Sequence, residues 1–118
     1  MIVTPQGRFV TQRELPRLAL IETALAVDAL VLRAPEMAPL AIPLSAPGAT
    51  PIDVVVWRSE LTAFDAGDAA ARWLSAYANA DLRLVRFDRN VRRLCNSEYA
   101  GDSGAHTAFA DGYPVLVI

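Results

Sequence analysis

The sequence predicts a mainly β domain that carries a single α-helix. Three observations lead there. Eight prolines are scattered between short apolar runs and do not gather into a linker. A β-branched run, Ile52 to Trp57, has the composition of a strand. Only one stretch, Ala66 to Asn79, combines a helix-starting residue with high helix propensity. A chain of 118 residues, 53% of them hydrophobic, has room for one domain and one core. At that size folding buries about two-thirds of the unfolded surface, so no disulfide is needed. The lone cysteine, Cys95, could not form an internal one.

The first third reads two ways. Leu18, Ile21, Leu25 and Leu32 fit helical spacing, whereas Leu18, Leu20 and Glu22 alternate as a strand does. Its alanines favour helix; the Arg33-Ala34-Pro35 stop and the strand-rich remainder favour a β-hairpin. In Leu40 to Leu44, residues Leu40, Ile42 and Leu44 share a face, and Pro43, lacking a backbone donor, places the strand at an edge or bulge. In Ile52 to Trp57 the alternation puts Ile52, Val54 and Val56 on one face and Val55 and Trp57 on the other. Both faces are apolar, which predicts a central strand. Asp65 is a good N-cap for the helix, Asp68 lies three residues on, and Ala70, Trp73, Leu74 and Tyr77 form its buried stripe. Leu82 to Phe87 reads as a strand with Arg83 and Arg86 at polar positions. Residues 88–112 are too long and polar for an ordinary connection, so a flexible loop is expected there. Tyr113 to Ile118 reads as a final strand.

Charge excludes some functions. All eleven basic residues are arginine, against thirteen acidic residues, giving a net charge of −2. No global field draws in nucleic acid or an anionic membrane. No signal segment or membrane-length apolar run is present, so a soluble, cytoplasmic protein is expected. His106, the only histidine, lacks the partners a triad or metal site requires. Cys95 stands near Arg92 and Arg93, which would stabilise a thiolate, but no base accompanies it. Asp65 and Asp68 suit a helix start better than acid/base work, and Asp111 adds no pair. The six glycines form no phosphate loop. Arg83, Arg86, Arg89, Arg92 and Arg93 crowd into a short segment, with few aromatics to stack bases; a solvated face is the simplest account. Arg13, beside Glu14, reads as half of a surface ion pair.

The string from Gly7-Arg8-Phe9-Val10-Thr11-Gln12-Arg13 through Pro16 to Ile21 resembles the N-terminal β-barrel region of MOSC proteins, the molybdenum cofactor sulfurase C-terminal-domain family. Further matches follow in register: Leu32-Arg33-Ala34-Pro35, Leu40 to Leu44, Val55-Val56-Trp57, Asp65 to Ser75, Arg83 to Arg86 and Ala108 to Leu116. Bacterial YcbX-like and amidoxime-reducing proteins are the most similar in pattern. The resemblance implies a small antiparallel β-barrel with one helix over about Ala66 to Asn79, and turns the first third toward strands. It implies a role in holding molybdenum cofactor: Arg13, in Thr-x-Arg, falls where the family contacts the cofactor's phosphate, and Thr11 is its backbone-orienting companion. No catalytic or metal-ligating residue carries over. The family's lysine-serine segment and its molybdenum-ligating cysteine have no counterpart here, and Cys95 does not replace the latter. The expectation is a barrel module that shapes substrate access but is silent by itself, a truncated product or separate fragment whose partner is a MOSC domain or a redox protein. A competing expectation is a binding module for a phosphorylated ligand, nucleic acid or protein, acting through the Arg83 to Arg93 segment or open strand edges.

Overall fold

A computed structural model describes residues 1–45 and 49–109. Its strands are β1 (Ile2–Val3), β2 (Glu22–Leu25), β3 (Ala29–Arg33), β4 (Leu40–Pro43), β5 (Pro51–Val56), β6 (Ser59–Asp65), β7 (Arg83–Phe87), β8 (Arg93–Leu94) and β9 (His106–Thr107). The helices are α1 (Asp68–Ala78) and the short α2 (Ser97–Ala100), with a 3₁₀ helix over Pro16–Leu20. The fold is mainly β with one main helix, as the resemblance implied. The first third is strands and the 3₁₀ turn, not an α-helix.

The larger sheet runs in the order β1-β7-β6-β5, every neighbour antiparallel. Its two edges meet on one segment. Phe9 bridges Val3 of β1, while Arg8 bridges Val55 of β5. The Phe9 N–H donates to the Val55 carbonyl at 3.1 Å, and the Val55 N–H to the Gly7 carbonyl at 2.9 Å. The sheet therefore curls until residues 7–9 serve both edges, removing the open edges a flat sheet would expose. Inside lie Val3, Val54, Ala63 and Val85, one from each strand and all fully buried.

Gly7 makes the closure possible. Its φ is +86°, and a Cβ there would stand 2.0 Å from the Asp53 carbonyl oxygen. Only glycine allows the chain to pass that close with that dihedral. The expected central position of β5 is corrected: it ends the strand order, and Val55 and Trp57 are exposed. Its apolar outer face misled the alternation argument, because the edge is satisfied by backbone from distant residues.

The smaller sheet, β2-β3-β4, packs with α1 around Leu18, Leu32, Ile42, Trp73, Leu74 and Leu82. Pro43 lies on the edge strand β4, where a missing N–H costs no ladder bond. The predicted stripe Ala70, Trp73, Leu74 and Tyr77 is buried. Two polar tips on it find carbonyls: Trp73 Nε1 donates to Ala38 at 2.7 Å and the Tyr77 hydroxyl to Arg17 at 3.0 Å. Asp65 is not the N-cap. Gly67 occupies that position, and Asp65 accepts from the Gly67 N–H at 2.7 Å while its other oxygen pairs with Arg83. A partner on β7, invisible to local spacing, claims that oxygen.

Within residues 88–109 the chain forms β8, α2 and β9, with Asn96 capping α2 by accepting from the Glu98 N–H at 3.0 Å. Arg93 is only 6% exposed; its Nε donates to Ser59 Oγ at 3.1 Å and its Nη1 to the Ala108 carbonyl at 3.0 Å. The expected strand Tyr113 to Ile118, and Asp111, lie outside the described residues.

Candidate functional site

Three segments converge on one open cleft of about 950 Å³. The first is the turn Thr11 to Glu14, which follows directly from the closing segment. The second is the two-residue tip, Trp57 and Arg58, that joins β5 to β6. The third is the start of the β8-β9 ribbon, Arg93 to Asn96. Arg8, Arg13, Arg58 and Arg93 line this cleft, together with Phe9, Trp57 and, among the described residues, a single carboxylate, Glu14.

The turn is built by a reciprocal cap. Thr11 Oγ1 accepts from the Glu14 N–H at 3.3 Å, and Glu14 Oε1 accepts from the Thr11 N–H and hydroxyl, each at 3.4 Å. This is the Ser/Thr-x-x-Glu arrangement that satisfies two backbone donors at once. Thr11 therefore shapes the backbone that carries Arg13.

Glu14 does not pair with its neighbour Arg13. Its Oε2 stands 2.9 Å from Arg8 Nη2. The hydrogen bond from Arg8 holds the Glu14 carboxyl below the usual carboxylate range, and Glu14 in turn raises the Arg8 guanidinium. The expected Arg13–Glu14 ion pair is thus corrected: adjacent residues in a turn point apart, whereas Arg8 comes back across it. Arg13 and Arg58 are exposed and have no ion pair or side-chain hydrogen bond among the described residues.

The arginine-rich segment does not act as one patch. Arg83 pairs with Asp65 and, at 2.9 Å, with Asp68. Arg86 donates to the Leu44 carbonyl and lies 6.0 Å from the Phe64 ring centroid. Arg93 is buried in the cleft wall, leaving Arg89 and Arg92 exposed. His106 is exposed opposite Leu94, and Cys95 is half-buried beside the ribbon. Among the described residues no group of three His, Cys, Asp or Glu side chains is placed to hold a metal.

A second cavity, about 310 Å³, lies where the curled sheet meets the smaller one and is lined mainly by apolar side chains such as Leu30, Ile42, Leu84 and Phe87. Its charged side chains, Asp65 and Arg86, already have partners within the fold. The Met1 ammonium at its wall donates to the Val85 carbonyl at 2.8 Å. Sequence reasoning missed Trp57, Arg58 and Arg93 as cleft residues. The signal for the first two was a strand-to-strand turn, Val-Trp-Arg-Ser, that lacks the usual glycine or asparagine.

Fold and cleft together define a small curled β-barrel domain whose open cleft is lined by guanidinium groups and an aromatic wall. Residues 1–81 match the model of the MOSC N-terminal beta barrel domain, and the chain belongs to that family. It is 30% identical over its whole length to mitochondrial amidoxime reducing component 2 of Bos taurus and 32% identical to that of Rattus norvegicus. The chain spans only 36% and 37% of those relatives. A solution structure of a protein from Bordetella bronchiseptica superposes with a TM-score of 0.67 at 27% identity, covering 75% of this chain and 71% of that one. The relatives are named as mitochondrial, and nothing in these likenesses supports the cytoplasmic expectation. No helix among the described residues is long and apolar enough to cross a membrane.

Proposed function

We propose that this barrel is the phosphate-anchoring part of a molybdenum-cofactor protein of the amidoxime-reducing kind, completed by a MOSC domain. The observation that carries the reading is Arg13: an exposed guanidinium on a capped turn, unpaired among the described residues, at a cleft whose described lining holds four arginines and one carboxylate. A planar guanidinium can grip two oxygens of a phosphate at once, and the surplus of positive charge raises the local concentration of anions. The residues present suit the cofactor's phosphate end. The cofactor, when bound, supplies redox chemistry at its metal, whose ligand would come from the MOSC domain.

In this reading Arg13 holds the phosphate, Thr11 and Glu14 fix the turn, and Arg93 braces the opposite wall through Ser59. The test is titration of the chain with molybdopterin, followed by backbone amide shifts. Saturable shifts at Thr11 and Arg13, lost in Arg13→Ala, support it; their absence with wild-type chain refutes it.

One observation favours a second reading, an interaction module. Every residue of the edge strand β2 is exposed, and Leu25 and Val27 at its hairpin tip are strongly so. An exposed apolar edge is suited to pairing with another chain. Mass by light scattering across a concentration series checks self-association, and a strict monomer throughout leaves only a different partner protein for that edge.

A further inference from the structure

We propose that Trp57 and Arg58 form the second half of this binding site. Trp57 is a platform for a planar ring and Arg58 a second phosphate contact, so the cleft takes a phosphate monoester joined to a heteroaromatic ring. This rests on the reading of Arg13 as the phosphate anchor.

Four observations carry it. Trp57 has φ of +54° at the hairpin tip, a region that bulky side chains avoid and that glycine or asparagine would occupy without cost. Such outliers persist where surrounding structure holds them, and often at ligand sites. The side chain gains little from folding in return, since it is 54% exposed. It is nevertheless held: its ring lies 4.9 Å from the Phe9 ring, tilted by 54°, which leaves more than half of the residue open beside the cleft.

Arg58 follows immediately, exposed and without an ion pair among the described residues. Bringing Arg8, Arg13 and Arg58 to one cleft, where Glu14 is the carboxylate among the described lining residues and is taken up by Arg8, leaves a surplus of positive charge that an anion would relieve. The volume points the same way. A cleft near 950 Å³ far exceeds what a bare phosphate fills and lies at the upper end of small-molecule sites, about 300–1,000 Å³. Aromatic faces beside arginines accept any flat heterocycle, as stacking does not depend on the ring's hydrogen-bonding edge.

The test compares guanosine 5′-monophosphate with ribose 5-phosphate, which shares the sugar and phosphate but has no ring. Trp57→Asn is the informative variant, because asparagine suits the left-handed turn and a thermal melt will show that the barrel still folds. The wild-type chain binds the nucleotide about tenfold more tightly, and Trp57→Asn erases that preference. Arg58→Ala weakens both ligands about tenfold. Equal affinity for the two ligands in wild-type chain, or a preference that survives Trp57→Asn, overturns the platform. Arg58→Ala binding both as wild type overturns the second contact. The anchoring reading is judged separately: if ribose 5-phosphate binding does not depend on Arg13, that reading fails, whatever Trp57 does.

Discussion

Glu14 Oε2 lies 2.9 Å from Arg8 Nη2, while Glu14 Oε1 accepts from the backbone and hydroxyl of Thr11. One carboxylate therefore fixes the turn that carries Arg13 and ties it to the closing segment of the barrel. Both members of the pair are exposed, so its effect is chiefly on local geometry and weakens with added salt.

The pair makes the turn sensitive to acid. The Glu14 carboxyl is held below its ordinary range, first by the hydrogen bond from Arg8. A carboxylate with a lowered folded-state pKa stabilises the fold above its unfolded value, and that contribution is lost as pH falls through the folded value. Amide shifts of Thr11 to Glu14 should stay constant above about pH 5 and move together below about pH 4. In Arg8→Ala the midpoint should rise toward that of a free glutamate; an unchanged midpoint would show that Arg8 does not set it.

Gly7→Ala should destabilise the barrel by about 3 kcal/mol, among the larger effects of a single substitution. The added Cβ meets the Asp53 carbonyl oxygen at 2.0 Å, and φ of +86° suits no side chain. Urea denaturation would register a lower midpoint. A loss below about 0.5 kcal/mol, typical of an unconstrained surface site, would mean that residues 7–9 do not close the sheet as described.

Arg83 joins the end of β6 to the first turn of α1 through Asp65 and Asp68. Arg83→Ala should cost about 1–3 kcal/mol, because it strands the largely buried Asp65 carboxylate. Asp68→Asn should cost under about 1 kcal/mol, since Asp68 is solvent-exposed. Chemical denaturation of the two variants checks the order, and equal losses would contradict it.

Leu74→Ala removes a fully buried side chain from the face of α1 that packs under the smaller sheet. The expected loss is about 3 kcal/mol, the transfer and cavity costs combined. Retention of the wild-type melting temperature would contradict the packing of that face.

Much of the fold was legible because it is written in local pattern. The stripe Ala70, Trp73, Leu74 and Tyr77 follows helical spacing, and Pro43 marks an edge strand by chemistry alone. Misreadings arose where a distant residue decided the outcome. Asp65 looked like a cap until Arg83, eighteen residues away, claimed one of its oxygens. β5 looked central because its second edge is filled by Gly7 to Phe9, and Arg13 looked paired because Arg8 could not be seen reaching Glu14. The Thr11-x-x-Glu14 spacing is a cap signature that sequence reasoning passed over, taking Glu14 as the partner of Arg13. Trp57 and Arg58 reach the cleft only through curling of the sheet, which no window of sequence encodes.

The most direct test of the central claim, that Arg13 is the phosphate contact, is to follow the arginine Nε–Hε resonances while inorganic phosphate is added. The Arg13 resonance should shift saturably, while those of Arg17, stacked 4.7 Å from the Tyr77 ring centroid, and Arg83, paired with two carboxylates, stay in place. A silent Arg13, or equal small shifts across all arginines, would contradict it.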